Sequence, residues 1–209
     1  MPSPFRRLTN QILSKQRYTG RILDLGGSKH SEYASYMRAS EVAVTVANLD
    51  PTTEPDQLVD LERLLPFDDG SFDMVLAINV LEHVFYYDQL IHESHRVLKT
   101  GGEFLIIVPF LFQIHPSPKD FFRYTKETLQ RICEENGFKE VTVTEIGSGV
   151  MAARAQLIYN FLPEPCAWIY QKMSRAGDAV LASLAHLLGK RYSPALYPLG
   201  YFVRAKKFS

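Results

Sequence analysis

Cysteine is scarce in this chain: Cys133 and Cys166 are the two among 209 residues. Their separation fits no zinc, redox or disulfide-framework spacing, so buried thiols in a reducing compartment are the expectation. Long hydrophobic runs are missing too. No stretch approaches the ~18 apolar residues of a membrane span. The opening MPSPFRRLTNQILSKQRY holds no continuous apolar core of the kind a secretion signal carries, so cytoplasmic residence is expected. A surplus of either charge is also lacking. The 23 Lys and Arg balance 23 Asp and Glu, which argues against a general nucleic-acid coat.

What is present points to an α/β protein. Hydrophobic residues make up 46% of the 209, enough for a sizeable core in one domain, or in one domain carrying an insertion. Strand-like and helix-like patterns alternate as far as residue 146, the mark of βαβ units and a largely parallel sheet. Strands are expected at Arg21–Leu25, Val42–Leu49, Asp73–Ile78, Phe104–Val108 and Val141–Ile146, with a helix around Tyr33–Arg38. Leu90, Ile91, Val97 and Leu98 share one helical face, and the glycines at 101 and 102 are expected to stop that helix. Thr125 can cap a further helix and Gly137 can close it. Residues 1–20 read as a helical lead-in.

From 148 to 198 the alternation stops. Two helical segments, Ala152–Phe161 and Ala179–Leu188, flank a proline-bearing middle, LPEPCAW, before a last strand at Tyr201–Ala205. If the strand before this insertion is parallel to the others, the insertion begins over the ligand edge of the sheet and is a candidate lid. Residues 1–150 hold 15 Lys and Arg against 21 Asp and Glu, whereas residues 151–209 hold 8 against 2. Tyr159, Trp168 and Tyr170 near Arg154, Lys172 and Arg175 fit an interfacial membrane contact through 152–192, an anionic substrate, or an ordinary amphipathic lid with a basic face.

The stretch RILDLGGSKHSEY at 21–33 is an apolar strand that breaks into glycine at an acid, which places bare backbone beside a ligand. Counting from Gly26, the dinucleotide pattern G-x-G-x-x-G fails at Ser28 and Ser31, and no G-K-[ST] follows for a phosphate loop. The spacing suits a cofactor without a pyrophosphate. Three further stretches follow in order: ANLDP with Asp50, VDLERLLPF with Asp60 and Leu61, and FDDGSFDMVLAINVLEHV followed by RVLKTGGEFLIIVPF. Together they resemble the class I S-adenosylmethionine (SAM) dependent methyltransferases of the small-molecule branch, with a type 11-like domain, over residues 20–146 and the last strand. The resemblance implies a doubly wound Rossmann-like α/β sheet of seven strands, the last antiparallel, with the helical insertion before it.

It also implies a SAM site. Asp24, Gly26, Gly27 and Ser28 form the loop, Asp50 accepts from the ribose hydroxyls, Asp60 and Leu61 meet the adenine, and Asn79 lies at the methionine end. The residue types fit these tasks: one carboxylate can take both hydroxyls of a diol, and bare backbone near a helix start suits a carboxylate. Each also has a plain structural use. Asp24 can cap a turn, Gly26 can end a strand, Asp50 before Pro51 can be a turn residue, and Asp60 can begin a short helix. The family's second loop glycine is replaced by Ser28, whose hydroxyl is a candidate contact to the methionine end.

The segment PFLFQIHPSPKDFFRYTKET is too long and too decorated for a plain connector. HPSPKDFFRYT resembles a segment of methyltransferases acting on small metabolites or polysaccharide building blocks. His115 is the candidate general base, with His83 a weaker one that also suits a partly buried helix start. Arg123, Tyr124 and Tyr86 are candidate substrate contacts, beside the structural readings in which Asp120 pairs with Arg123 to hold the loop and Tyr124 packs. His92, Glu93 and His95 lack a further convergent ligand, so no metal is expected. Methyl transfer to O, N or C of a small or lipid- or sugar-linked metabolite is the leading function. An RNA or other macromolecule methyltransferase and a noncatalytic SAM-fold binding module stand as alternatives, with no nucleic-acid partner expected.

Overall fold

The computed structural model describes residues 2–38 and 42–208. The sheet is built from β1 (Arg21–Leu25), β2 (Ala43–Asn48), β3 (Gln57–Leu58), β4 (Phe72–Ile78), β5 (Leu98–Pro109), β6 (Phe138–Ser148) and β7 (Pro198–Lys207). Its order is β3-β2-β1-β4-β5-β7-β6. The first five strands are parallel and β7 runs antiparallel between β5 and β6. The helices are α1 (Pro4–Leu13), α2 (Ala34–Arg38), α3 (Tyr87–Val97), α4 (Lys126–Glu135), α5 (Val150–Ile158) and α6 (Glu164–Leu187). Strand order reverses between β1 and β4, and an open α/β sheet binds its ligands in that crevice, beyond the carboxyl ends of the strands.

Both faces of the sheet are covered, which explains the continuous apolar runs. Leu23, Leu25, Val75, Ala77, Phe104 and Ile106 face α3 and α4, while Ile22, Met74, Leu76, Leu105 and Ile107 face the layer that includes Phe5 and Leu13 of α1 and Met37 of α2. The alternation of odd and even residues follows from the period-2 strand. Ser3 caps α1 by accepting the Arg6 amide at 3.1 Å, with Pro4 inside the first turn. Thr125 caps α4 and Gly137 follows its end at φ 90°.

Three expectations need correction. The glycines at 101 and 102 do not stop α3, which ends at Val97; they lie within β5, where Gly101 has φ 80° and the register to β4 shifts. The chain therefore passes from helix to strand with no intervening glycine cap. LPEPCAW separates two helices only at Leu162 and Pro163 and does not continue as a break. It is where the 24-residue α6 begins, Pro165 occupying its first turn, where a missing N–H costs nothing. β5, β6 and β7 also extend past the expected strands at both ends, because antiparallel pairing with β7 continues beyond the apolar cores and Leu98 at the start of β5 pairs with Phe72 of β4. β6 is parallel to β5, since each runs antiparallel to β7, and α5 therefore starts over the carboxyl edge of the sheet. No helix among the described residues is long and apolar enough to cross a membrane. The side chains of Trp168, Lys172 and Arg175 lie outside the described residues.

Candidate functional site

A two-lobed cleft lies along the carboxyl ends of β1, β2, β4 and β5. The edge lobe, about 590 Å³, is walled by Asn48, Asp50, Asp60, Leu61, Val84 and Tyr86 among others. The central lobe, about 800 Å³, is walled by Gly27, Ser28, Tyr33, Phe112, His115 and residues of α1. Both volumes fall in the range of small-molecule sites. Gly26, Asn79, His83 and Ser117 line both lobes, so the two form one continuous groove.

The floor is made by β1 and the loop after it. Gly26 has φ 66°, and a Cβ there would sit 2.6 Å from Val80. At Gly27 a Cβ would sit 1.9 Å from Asp24 Oδ2. Bare backbone is thus required twice in succession. Asn48 at the end of β2 donates to the Gly27 carbonyl at 2.8 Å, and the Gly26 amide donates to Ala47 O at 2.7 Å, which locks the loop to its neighbour. Ser28 Oγ accepts the His30 amide at 3.2 Å while lining the central lobe. Asn79, at the end of β4, holds φ 55°, and its Oδ1 is buried with no hydrogen-bond partner among the described residues. A buried orphan acceptor is costly unless a ligand or water satisfies it, so Asn79 Oδ1 is open to a donor entering the groove.

Asp24 departs from the expectation of a direct cofactor contact. It is fully buried and lines neither lobe, lying beneath the glycines with its oxygens 3.0 and 3.2 Å from the Tyr33 hydroxyl. Burial pushes its pKa up to about 7, with the Tyr33 hydrogen bond opposing the rise. Asp50 stands exposed at the rim of the edge lobe; Oδ1 accepts from the amide and the hydroxyl of Thr52 at 2.9 and 2.7 Å, and Oδ2 takes neither bond. Those bonds from Thr52 hold its pKa below the usual carboxylate value. Asp60 makes its own turn, accepting the Glu62 amide at 3.0 Å and the Arg63 guanidinium at 3.1 Å, and still lines the edge lobe. Leu61 is buried beside it.

The substrate candidates are mostly relocated. Arg123 lines neither lobe: it holds Asp120 with two bonds of 2.5 and 2.8 Å and donates to the Phe122 and Gln113 carbonyls. Its donors are engaged in tying the loop, and the guanidinium drives the Asp120 pKa far below the ordinary range. Tyr124 is 3% exposed and donates to Leu81 O at 3.0 Å, packed in the core against Tyr87 and Phe122. Tyr86 is exposed and lines the edge lobe, away from the central one. His115 and His83 do line the central lobe, with ring centroids 4.9 Å apart. His115 Nε2 faces Glu82 Oε1 at 3.6 Å; this carboxylate pushes the His115 pKa up against the effect of burial. His115 is therefore part of a cluster and not a lone base. Glu93, one of the residues weighed for a metal, is taken up by Arg96.

Sequence reasoning missed the contribution of α1. Ser3, Phe5, Arg6, Thr9 and Asn10 all line the central lobe. The helix is fastened there by the Phe5 amide donating to Gln156 Oε1 at 3.0 Å and by Asn10 donating to Glu32. Thr9 Oγ1 on this wall is also buried with no hydrogen-bond partner among the described residues. Nothing in the motif pattern links α1 to the groove. Its capped, amphipathic turn only signals that one face packs.

Residues 23–106 match the Methyltransferase domain family. The human mitochondrial 2-methoxy-6-polyprenyl-1,4-benzoquinol methylase is 28% identical over 118 residues, covering 42% of this chain and 36% of that protein. The ubiquinone/menaquinone biosynthesis C-methyltransferase of Bartonella tribocorum is 27% identical over 146 residues, covering 60% of this chain and 53% of that one. The chain thus matches between about a third and a half of the length of these relatives. Among solved structures, Haemonchus contortus phosphoethanolamine N-methyltransferase 2 with S-adenosyl-L-methionine superimposes with TM-score 0.64 at 16% identity, over 96% of this chain and 52% of that one. Over residues 23–106 the chain is similar to the Methyltransferase domain family, and the likeness to the solved methyltransferase shows the fold.

The groove fits SAM by its own chemistry. A glycine floor that a Cβ would fill, an orphan acceptor at Asn79, and Asp50 at the end of β2 suit an aminoacyl end at the floor and a ribose at the rim.

Proposed function

We propose that this protein is an enzyme that transfers the methyl group of SAM to an O, N or C atom of a small or lipid- or sugar-linked metabolite. The carrying observation is the continuity of the groove: the lobes meet at Gly26, Asn79, His83 and Ser117. Bound SAM supplies an already activated methyl on a sulfonium, so the chain's task is placement and exclusion of water. Asp50 and Leu61 take the adenosine half in the edge lobe. Gly26, Gly27, Ser28 and Asn79 take the methionine half, and the acceptor enters the remaining central lobe. Phe5, Phe112 and Tyr159 give that lobe an apolar, aromatic wall, suited to a ring or a short chain more than to a highly charged polymer. The names of the relatives, a benzoquinol methylase and a phosphoethanolamine N-methyltransferase, suggest phenolic and amino acceptors as the first panel.

Calorimetric titration with S-adenosylhomocysteine tests the cofactor half, and tritium transfer from labelled SAM to that panel tests the acceptor half. One-to-one binding together with turnover of a small acceptor is expected. Binding with no turnover of any small acceptor would favour a noncatalytic module, and absence of binding would overturn the reading.

A further inference from the structure

Glu82 is fully buried, and neither of its carboxylate oxygens has a hydrogen-bond partner among the described residues. Its nearest polar neighbours are two imidazoles, His115 Nε2 at 3.6 Å and His83 Nε2 at 3.7 Å from Oε1. Candidate ligand atoms of all three residues lie within 4.8 Å of one another. An unpaired buried carboxylate is among the most expensive groups a fold can hold, and this one is aimed at two nitrogens.

The far side of each ring decides what those nitrogens carry. His83 Nδ1 lies 2.6 Å from the Lys119 carbonyl, and His115 Nδ1 lies 3.1 Å from the Gln113 carbonyl and 3.3 Å from Asp120 Oδ2. Carbonyl oxygens only accept, so both Nδ1 atoms donate and the neutral tautomer of each ring presents a bare Nε2 lone pair toward Glu82. Two lone pairs converging on a carboxylate repel unless a cation lies among them. A proton on Nε2 would draw it to the ~2.7–2.9 Å of a charge-assisted bond. Ligands held ~2.0–2.1 Å from a tetrahedral metal ion lie instead ~3.3 Å apart, closer to the 3.6 and 3.7 Å found here. Histidines whose outer nitrogen donates to a carbonyl or carboxylate are the usual support of metal ligands.

The backbone fixes the assembly. The Phe121 amide donates to the Glu82 carbonyl at 2.7 Å, tying the loop that carries His115 to the turn that carries Glu82 and His83. Glu82 closes the back, while both imidazoles line the central lobe, so a further coordination position opens on the acceptor.

We propose that Glu82, His83 and His115 form a site for a divalent transition-metal ion that grips an oxygen of the acceptor. Two imidazoles and one carboxylate suit zinc and its neighbours and not magnesium or calcium. The acceptor role rests on the methyltransferase reading and commits it to a hydroxyl or phenol. The ion lowers the pKa of the oxygen it holds, the O–H bond breaks and the proton leaves to solvent. An oxygen lone pair then forms the bond to the methyl carbon while the carbon–sulfur pair returns to sulfur, and the ion is unchanged.

The test is titration of the chelator-treated chain with Zn2+ and Co2+, read by calorimetry, by the visible absorption of Co2+, and by paramagnetic shifts of histidine ring resonances. One ion per chain is expected, with the resonances of His83 and His115 shifted furthest among the histidines. Removing a supporting group costs ~10–100-fold in metal affinity, so Asp120→Asn is expected in that range and His83→Ala or His115→Ala beyond it. Far-UV circular dichroism of each variant reports folding. No uptake, or uptake that leaves those two histidines unmoved, overturns the site. Uptake with no cofactor binding in the unaltered chain would leave the metal site standing and remove the methyltransferase reading.

Discussion

The edge lobe takes its walls from residues 26–86 and a rim at 117–121, whereas the central lobe draws on α1, the loop from 109 to 117 and Tyr159 beyond α5. In the first, most wall residues between 26 and 86 stand at the end of a strand or in the turn after it, so the parallel sheet sets their place, and the rim at 117–121 is fastened by a loop, through the Phe121 amide and the Glu82 carbonyl. In the second, elements distant in sequence are brought together by packing: Phe5 bonds Gln156 and Asn10 bonds Glu32. One lobe is a product of topology and the other of tertiary fastening. Substitutions in the first are expected to act on cofactor binding, and substitutions in the second on the acceptor or on loop order.

The largest expected break is at the floor both lobes share. In Gly27→Ala the new Cβ would lie 1.9 Å from the buried Asp24 carboxylate, so loop or strand must move. We expect S-adenosylhomocysteine affinity to fall at least ~1,000-fold, about 4 kcal/mol, in calorimetric titration. Retained affinity would show that the glycine floor is not the cofactor's bed.

Next comes the pH dependence set by Asp24. Its folded pKa, raised to about 7 by burial, exceeds the ~3.9 of an unfolded chain. Between those values the unfolded state releases its proton first, so this contribution to stability is complete below pH ~4 and is lost as pH rises to about 7. The loss is bounded near ~4 kcal/mol at ~1.4 kcal/mol per pH unit. Asp24→Asn is expected to flatten this part of the pH–stability profile in urea denaturation. A variant whose profile matches the original chain would place the folded pKa near its ordinary value.

Two comparable losses separate the lobes. Asp50→Ala removes the carboxylate at the edge lobe, a charged hydrogen-bond acceptor; cofactor affinity is expected to fall ~10–100-fold while the urea midpoint stays nearly unchanged. Arg123→Ala leaves Asp120, whose side chain is 3% exposed, without its partner. Breaking a buried pair costs ~3–5 kcal/mol, reduced here to ~2 kcal/mol because Arg123 is partly solvated. The loss is expected in stability and in faster hydrogen exchange over residues 113–123, with cofactor affinity held. Equal effects of the two variants on cofactor affinity would erase the distinction between the lobes.

That distinction also explains what could be read from sequence. Asp50, Gly26 and Asn79 stand where apolar strands end, and the strand pattern alone carries them to the groove. Arg123 and Tyr124 share a stretch with His115 and look alike on paper. One is consumed by Asp120 and the other by the Leu81 carbonyl, partnerships that depend on how the loop folds over α3. Glu82 sits in the run NVLEHV, where an acid among apolar residues marks burial, but its approach to His115 needs the adjacency of β4 and β5. The wall contributed by α1 had no signal beyond an apolar face.

The smallest expected effect lies at the link between loop and floor. The Tyr33 hydroxyl lines the central lobe's wall and bonds Asp24 from above, lowering a carboxyl pKa that burial raises. Tyr33→Phe keeps the ring and removes one hydrogen bond, ~1 kcal/mol by the usual measure. Without that donor the Asp24 carboxyl becomes harder to ionise, so its titration moves above 7, seen as a carboxyl resonance shifting at higher pH. Stability is then lost over a window that reaches further into the alkaline range, and cofactor affinity drops less than tenfold because the glycine floor is intact. A loss as large as that of Gly27→Ala would mean that Tyr33 touches the cofactor itself, which would bring the residue before α2 on the central lobe's wall into the cofactor's bed and narrow the contrast between the two lobes.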